Sequence, residues 1–349
     1  MKNIKLRNWL IIIASIALVF IFSACEPSSA VETIDPGETN TETPPKVETE
    51  IPPTLTPTQD VQKVILISDQ GGDELTLSQV QTALETLTAE AGYALEIMGQ
   101  ASLEAMTGVL MVVSIGEDVD VNNFAQRYPE VPFVAVDNAN AVPASNVHVI
   151  GDPIVDQQNR AFMAGYMAAL LSEDYKAAAL VPSETDATEI VLESFVIGAR
   201  FFCGLCQPKY PPYQSFPQWQ TLPVENIEEK YQSIIDNFGN SGVEVLFVQG
   251  DLAASPVMNA ASDYGMVVLS DQSPEMRLNN YAGTIINDPG QALMGLWSEI
   301  LNGREGTRVP ALIILADRDP DLVSEGRYSM FLEMAENLQN GLVSAEAVP

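Results

Sequence analysis

The chain has 349 residues, 46% hydrophobic and 18% charged, with 47 acids against 16 bases and a single histidine. That length is enough for two domains with sizeable cores. A formal charge of −31 excludes nucleic acid as a partner, which needs clustered Lys and Arg to displace counterions, and excludes docking on anionic lipid through a basic patch. One histidine rules out multi-histidine metal sites, and three cysteines are too few for a disulfide scaffold.

The first element is an export signal. Lys2, Lys5 and Arg7 precede an apolar run from Trp9 to Phe22. A helix of that length spans about 21 Å, short of the roughly 30 Å of a hydrocarbon core. The run ends in Phe22-Ser23-Ala24-Cys25, which resembles a bacterial lipobox. The thiol of Cys25 would be acylated after removal of residues 1–24 and hold the protein on the extracytoplasmic face of the cell membrane. An ordinary signal peptide with an incidental cysteine is the alternative. Cleavage removes three positive charges and no acid, taking −31 to −34. Residues 25–60 form a tether, because positions 26–60 hold seven Pro, eight Thr, eight acids, one Lys and no aromatic ring. Such a stretch buries too little apolar area to offset its chain entropy.

From residue 61 onward strands and helices alternate. Strands are expected at Val64–Ile67, Val109–Ile115 and Phe133–Val136, with helices at Leu77–Ala91 and Asn122–Tyr128. A second series follows. Its helices are expected at Asn159–Leu171, Ile190–Phe202, Ile227–Phe238, Ser255–Tyr264, Pro289–Leu301 and Tyr328–Gln339. Its strands are expected at Ala177–Val181, Tyr213–Leu222, Val243–Val248, Met266–Leu269 and Ala311–Leu315. Apolar strands separated by helices imply α/β architecture with parallel sheets covered on both faces. Two series imply two doubly wound lobes: residues 61–155 with part of 273–303, and 156–272 with part of 304–349. Ligands of such sheets lie beyond the carboxyl ends of the strands.

Those ends are rich in acids and amides: Asp69, Asp137-Asn138, Gln249-Gly250-Asp251 and Asp271-Gln272. Carboxylates accept hydrogen bonds from paired hydroxyls; the bland reading is that Asp and Asn favour turns. Cys203 and Cys206 suit a small structural disulfide, with free thiols or a redox pair as alternatives. The aromatic stretch Tyr210 to Trp219 is either a stacking platform at the cleft or a proline-stiffened loop packed on its own lobe. His148 is expected in a strand crossing between the lobes, in a structural role. The chain contains no GxxxxGK[ST], GxSxG or HExxH motif and no GxGxxG after the first strand. No catalytic residue, metal or cofactor is therefore assigned, although a carboxylate pair such as Asp69 and Asp271 is in principle competent for glycoside hydrolysis.

Several segments, in order, carry a resemblance. Asn146-Val147 through Ala161-Phe162-Met163-Ala164-Gly165-Tyr166-Met167-Ala168-Ala169 resembles the "NV…E-A-FLAGYLAA" segment of the basic membrane protein lipoproteins, the PnrA-like solute-binding proteins. Ala125 to Asp137 is similar to their "A-x-x-YP…F-x-x-x-D". Phe195-Val196-Ile197-Gly198-Ala199 is similar to "F-x-x-G-x", Val243 to Phe247 to "G-x-DVIF", and Leu269-Ser270-Asp271-Gln272 to "G-x-D-x-Q". The resemblance runs from about Val64 to Gly303. It implies a type I periplasmic-binding-protein fold, two Rossmann-like lobes joined by a three-segment hinge. It also implies a monomer with an ABC permease as partner and a purine nucleoside as ligand.

By position, Asp271 would bond ribose hydroxyls and Asp69 would border the cleft. Asp137 would face the ligand or end its strand, and Gly250 would line the cleft. Phe216 or Trp219 stands where the family places a ring that stacks on the base. Leu77 and Ser78 replace a base-contacting Phe and Asn, and no lysine stands near Asn287-Asp288. A receptor that signals to a membrane partner, binding a sugar or other small molecule, is the alternative to transport.

Overall fold

The computed structural model describes residues 62–68, 73–99, 106–117, 119–183, 185, 187–253 and 255–346, all within one compact unit, Thr58–Pro349. The export segment, Cys25, the tether and Asp69 lie outside the described residues.

One sheet holds β1 (Lys63–Ser68), β2 (Ala94–Met98), β3 (Val109–Ile115), β4 (Phe133–Val136), β5 (Val147–Ile150) and β11 (Arg308–Val309), in the order β11-β5-β4-β3-β1-β2. Its strand pairs are all parallel. The other sheet holds β6 (Ala177–Pro182), β7 (Gln218–Leu222), β8 (Val245–Val248), β9 (Val267–Ser270), β10 (Tyr281–Asp288) and β12 (Leu312–Ala316), in the order β12-β10-β9-β8-β6-β7. Its only antiparallel pair among the described residues is β10 with β12.

Each sheet is covered on both faces, as near-continuous apolar strands require. On the first, one face packs on α1 (Glu74–Ala91) and α7 (Pro289–Leu301) through Val80, Leu84, Leu293 and Trp297. The other packs on α2 (Val121–Arg127) through Val121 and Ala125. On the second, α3 (Pro153–Leu171), α4 (Thr188–Phe202) and α8 (Glu325–Gln339) cover one face. The opposite face receives α5 (Ile227–Asn240) and α6 (Ser255–Asp263). The chain therefore passes between lobes three times: after β5, after β10, and between β11 and β12.

α3 is buried almost all round from Ala161 to Ala169, which is how a helix apolar on every face must sit. It meets α4 backbone to backbone. A side chain on Gly165 would strike the Phe195 carbonyl, and one on Gly198 the Phe162 carbonyl.

The structure departs from expectation at several elements. α3 begins at Pro153, six residues earlier than expected, because Asp152 caps Ile154 and Val155 and Pro153 suits the first helical position. Strand β7 starts at Gln218 rather than Tyr213, since Pro217 offers no N–H for a ladder. β2, β10 and the two-residue β11 were not expected at all. His148 lies within β5, paired between β4 and β11 and 1% exposed, rather than in a crossing. No described helix is long and apolar enough to cross a membrane.

Candidate ligand-binding cleft

The strands of both sheets end at one cavity of about 1000 Å³. From the first lobe come Asp73 to Thr76 in the first turn of α1, Ile115 to Glu117 after β3, and Asp137 after β4. From the second come Asp156 and Arg160 on α3, Gly250-Asp251 after β8, Asp271 to Ser273 after β9, and Asn287 near the end of β10. Seven of the lining residues carry carboxyl groups, one is basic, and none is aromatic.

Local structure aims these groups. Asp73 caps α1 and accepts the Leu75 and Thr76 amides at 3.3 and 3.2 Å. Asp137 follows its strand with φ at +49°, a left-handed turn that Asp tolerates better than most residues, and this directs its carboxyl into the cleft. Thr76 Oγ1 stands 3.1 Å from both Asp73 Oδ2 and Asp137 Oδ2. Its one hydrogen serves only one of the two carboxylates at a time. Burial raises the Asp137 pKa, opposed by the Thr76 hydroxyl and by Arg160. Asp271 accepts the Gly250 amide; burial raises its pKa too, with Arg160 pulling it back. Asp156 is 3% exposed and is pushed up to about 7 by burial, the Asp152 amide opposing and the nearby charge of Asp137 adding to it.

Of the residues anticipated as ligand contacts, Asp137, Gly250 and Asp271 meet in this cavity. Phe216 and Trp219 do not. Phe216 is 9% exposed in the second lobe's core, edge-on to Tyr175 at 5.9 Å. Trp219 is half exposed on β7, the outermost strand of its sheet. The loop carrying these rings is pinned away from the cleft, because Asp174 accepts the Lys209 and Tyr210 amides at 2.6 and 3.2 Å and pairs with Lys176 at 2.9 Å. Cys203 and Cys206 are joined by a disulfide just after α4. Leu77 packs into the first lobe's core, while Leu75 and Thr76 border the cleft.

Sequence reasoning missed Asp156 and Arg160. Arg160 Nη1 donates to Asn287 Oδ1 at 2.7 Å, so the cation of the cleft lining comes from α3, beside the Asn287-Asp288 region where the family has a lysine and this chain has none. The available signal was Arg160 itself, an arginine where the "E-A-FLAGYLAA" pattern has its glutamate. Asn138 is structural, its side chain accepting the Asn140 and Ala141 amides and donating to the Gly116 carbonyl.

No family model matches this sequence, and no curated protein matches it. Solved structures do. A transcriptional activator of the comK gene from Bacillus halodurans shares 14% identity over 80% of this chain and 98% of its own, with a TM-score of 0.56. An ABC transporter system solute-binding protein from Conexibacter woesei DSM 14684 shares 17% identity over 83% of this chain and 99% of its own, with a TM-score of 0.55. At such identities the likeness speaks to the fold, which is type I periplasmic-binding-protein-like.

Proposed function

We propose that this protein is an extracytoplasmic solute-binding lipoprotein of the basic-membrane-protein, PnrA-like type, which captures a small polar solute and delivers it to an ABC permease. The observation that carries the reading is a cavity lined by polar strand ends of both lobes. A ligand touching both lobes favours their closed arrangement over the open one by its differential affinity, which is the physics of capture. Three chain crossings supply the hinge.

The finer reading is a nucleoside-like ligand, with Asp271 and Asp137 accepting ribose hydroxyls. It is supported by the order of the sequence motifs and by the meeting of these two acids in the cleft. Base stacking on one ring is worth about 1–3 kcal/mol in single-strand binders; without a ring in the cleft lining, affinity would rest on the polar contacts. A thermal-shift screen of guanosine, adenosine, inosine, free bases and sugars tests this. Nucleosides are expected to raise the melting temperature. A sugar that does so while all three nucleosides leave it unmoved removes the nucleoside reading. Asp271→Asn keeps the size and an acceptor for the Gly250 amide, and is expected to weaken binding about 10-fold or more. Unchanged affinity would remove Asp271 from the contacts.

A further inference from the structure

Two carboxyl groups reach the cleft from different lobes and crowd the same side of Gly151, so that their oxygens lie near each other. A Cβ on Gly151 would meet Asp156 Oδ2 at 2.7 Å and Asp137 Oδ1 at 2.8 Å. Asp137 follows β4 of the first lobe, whereas Asp156 lies in the first turn of α3 in the second. Neither is well supplied with donors. Asp156 is 3% exposed and its Oδ2 accepts the Asp152 amide at 3.0 Å. Its Oδ1 accepts no hydrogen bond from any described residue, although the side chain lines the cavity. Asp137 must share the Thr76 hydroxyl with Asp73. Arg160, the one basic residue lining the cavity, acts on both acids through its charge, but the one side-chain hydrogen bond it makes among the described residues goes to Asn287.

Buried carboxylates need a counter-charge or donors. Burial and the nearby charge of Asp137 raise the Asp156 pKa against the pull of the Asp152 amide and Arg160, and one guanidinium facing seven carboxyl groups leaves the cleft short of positive charge. Among the described residues no three acidic or thiol groups are arranged to hold a metal ion. An ammonium group, by contrast, is a donor with three hydrogens and no acceptor, and matches acceptor oxygens arriving from two sides.

We propose that Asp137 and Asp156 form a subsite for a protonated amine, so that the captured solute carries a cationic nitrogen beside its hydroxyls. The inference rests on the solute-capture reading and adds to it, because an amine bridging the two acids would tie one lobe to the other.

The test compares probes that differ by one amine: glucosamine with glucose, and 3′-amino-3′-deoxyadenosine with adenosine, plus putrescine. Each is read by thermal shift and calorimetry at pH 7, where the probe amines are protonated, and 150 mM salt, where nonspecific attraction to an acidic protein is screened. In at least one pair the amine member is expected to bind about 10-fold or more tightly than its neutral partner. That advantage should vanish in both Asp156→Asn and Asp137→Asn. Both substitutions are isosteric, and Asn accepts the turn at position 137; if one fails to fold, the other carries the test. Neutral members binding as well as the amines would overturn the amine subsite and leave capture standing. An amine advantage that survives both substitutions would likewise overturn it. Silence from every probe here and from the nucleosides and sugars above would overturn capture, and the subsite with it.

Discussion

Burial holds the Asp156 carboxyl at about 7, against an ordinary value of 3.8. Asp137 faces it from the end of β4, Asp152 and Arg160 flank it on its own helix, and Arg308 pairs with Asp152 at 3.2 Å. A pKa raised on folding means that the folded state binds the proton more tightly. The stability this contributes is complete below about pH 4 and is lost as pH rises through 7. Asp156→Asn cannot ionise, so wild type should lose stability relative to the variant between about pH 4 and 7.5, and change little above that, by on the order of 2–4 kcal/mol in all. Melting temperatures of both proteins across that range decide it; parallel curves would mean that Asp156 titrates normally. Such residues are hard to find in a sequence. Asp137 and Asp271 were legible because each directly follows an apolar strand, and the strand ends of both sheets face the cavity. Asp156 and Arg160 sit on a helix, where facing the cleft depends on how α3 is tilted at the crossing after β5, a tertiary property.

At the scale of elements, the paired glycines of α3 and α4 are the tightest point in the second lobe. Gly165 opposes the Phe195 carbonyl and Gly198 the Phe162 carbonyl, so the two helices touch along their backbones with no side chain between. A methyl at either position meets backbone, which cannot rotate away. Overpacking a core costs typically about 1–3 kcal/mol, and Gly165→Ala should lie at or beyond the upper end. Denaturant unfolding of Gly165→Ala against an exposed control, Gly326→Ala in α8, measures it; equal stability would show that the helices separate freely. Both interface glycines were visible as motif residues, and helices were expected at both segments. The strands that escaped notice were those with weak local patterns. β2, Ala94–Met98, is an edge strand with mostly exposed side chains. β10, Tyr281–Asp288, mixes Gly, Thr and Asn with two isoleucines. It becomes an interior strand because β9 pairs with it on one side and β12, beyond a helix and a strand of the other lobe, pairs with it on the other. The expectation for Phe216 and Trp219 failed for a related reason: nothing local to that loop announces that Asp174 will hold it away from the cleft.

For the whole molecule, the acidic balance becomes a statement about stability. Residues 61–349 hold 39 acids and 12 bases, so the folded body carries a large excess of like charge, and self-repulsion opposes the compact state. Opposing this are a few exposed ion pairs, such as Lys63 with Glu96 and Arg304 with Glu299. Exposed pairs are each worth about 1 kcal/mol or less. Salt weakens both effects as the Debye length shrinks from about 30 Å at 0.01 M to about 8 Å at 0.15 M. The repulsion acts over many more pairs and longer distances, so its loss should dominate. The melting temperature of the folded body is therefore expected to rise by about 2 °C or more between 10 and 200 mM sodium chloride, each kcal/mol shifting a body of this size by roughly 2–4 °C. Potassium chloride should act alike, which separates screening from binding of a particular cation. A fall with either salt would mean that the few local pairs outweigh the field of the whole. The same field bears on the cleft: it draws cations toward seven carboxyl groups and one arginine, and repels phosphates before they arrive.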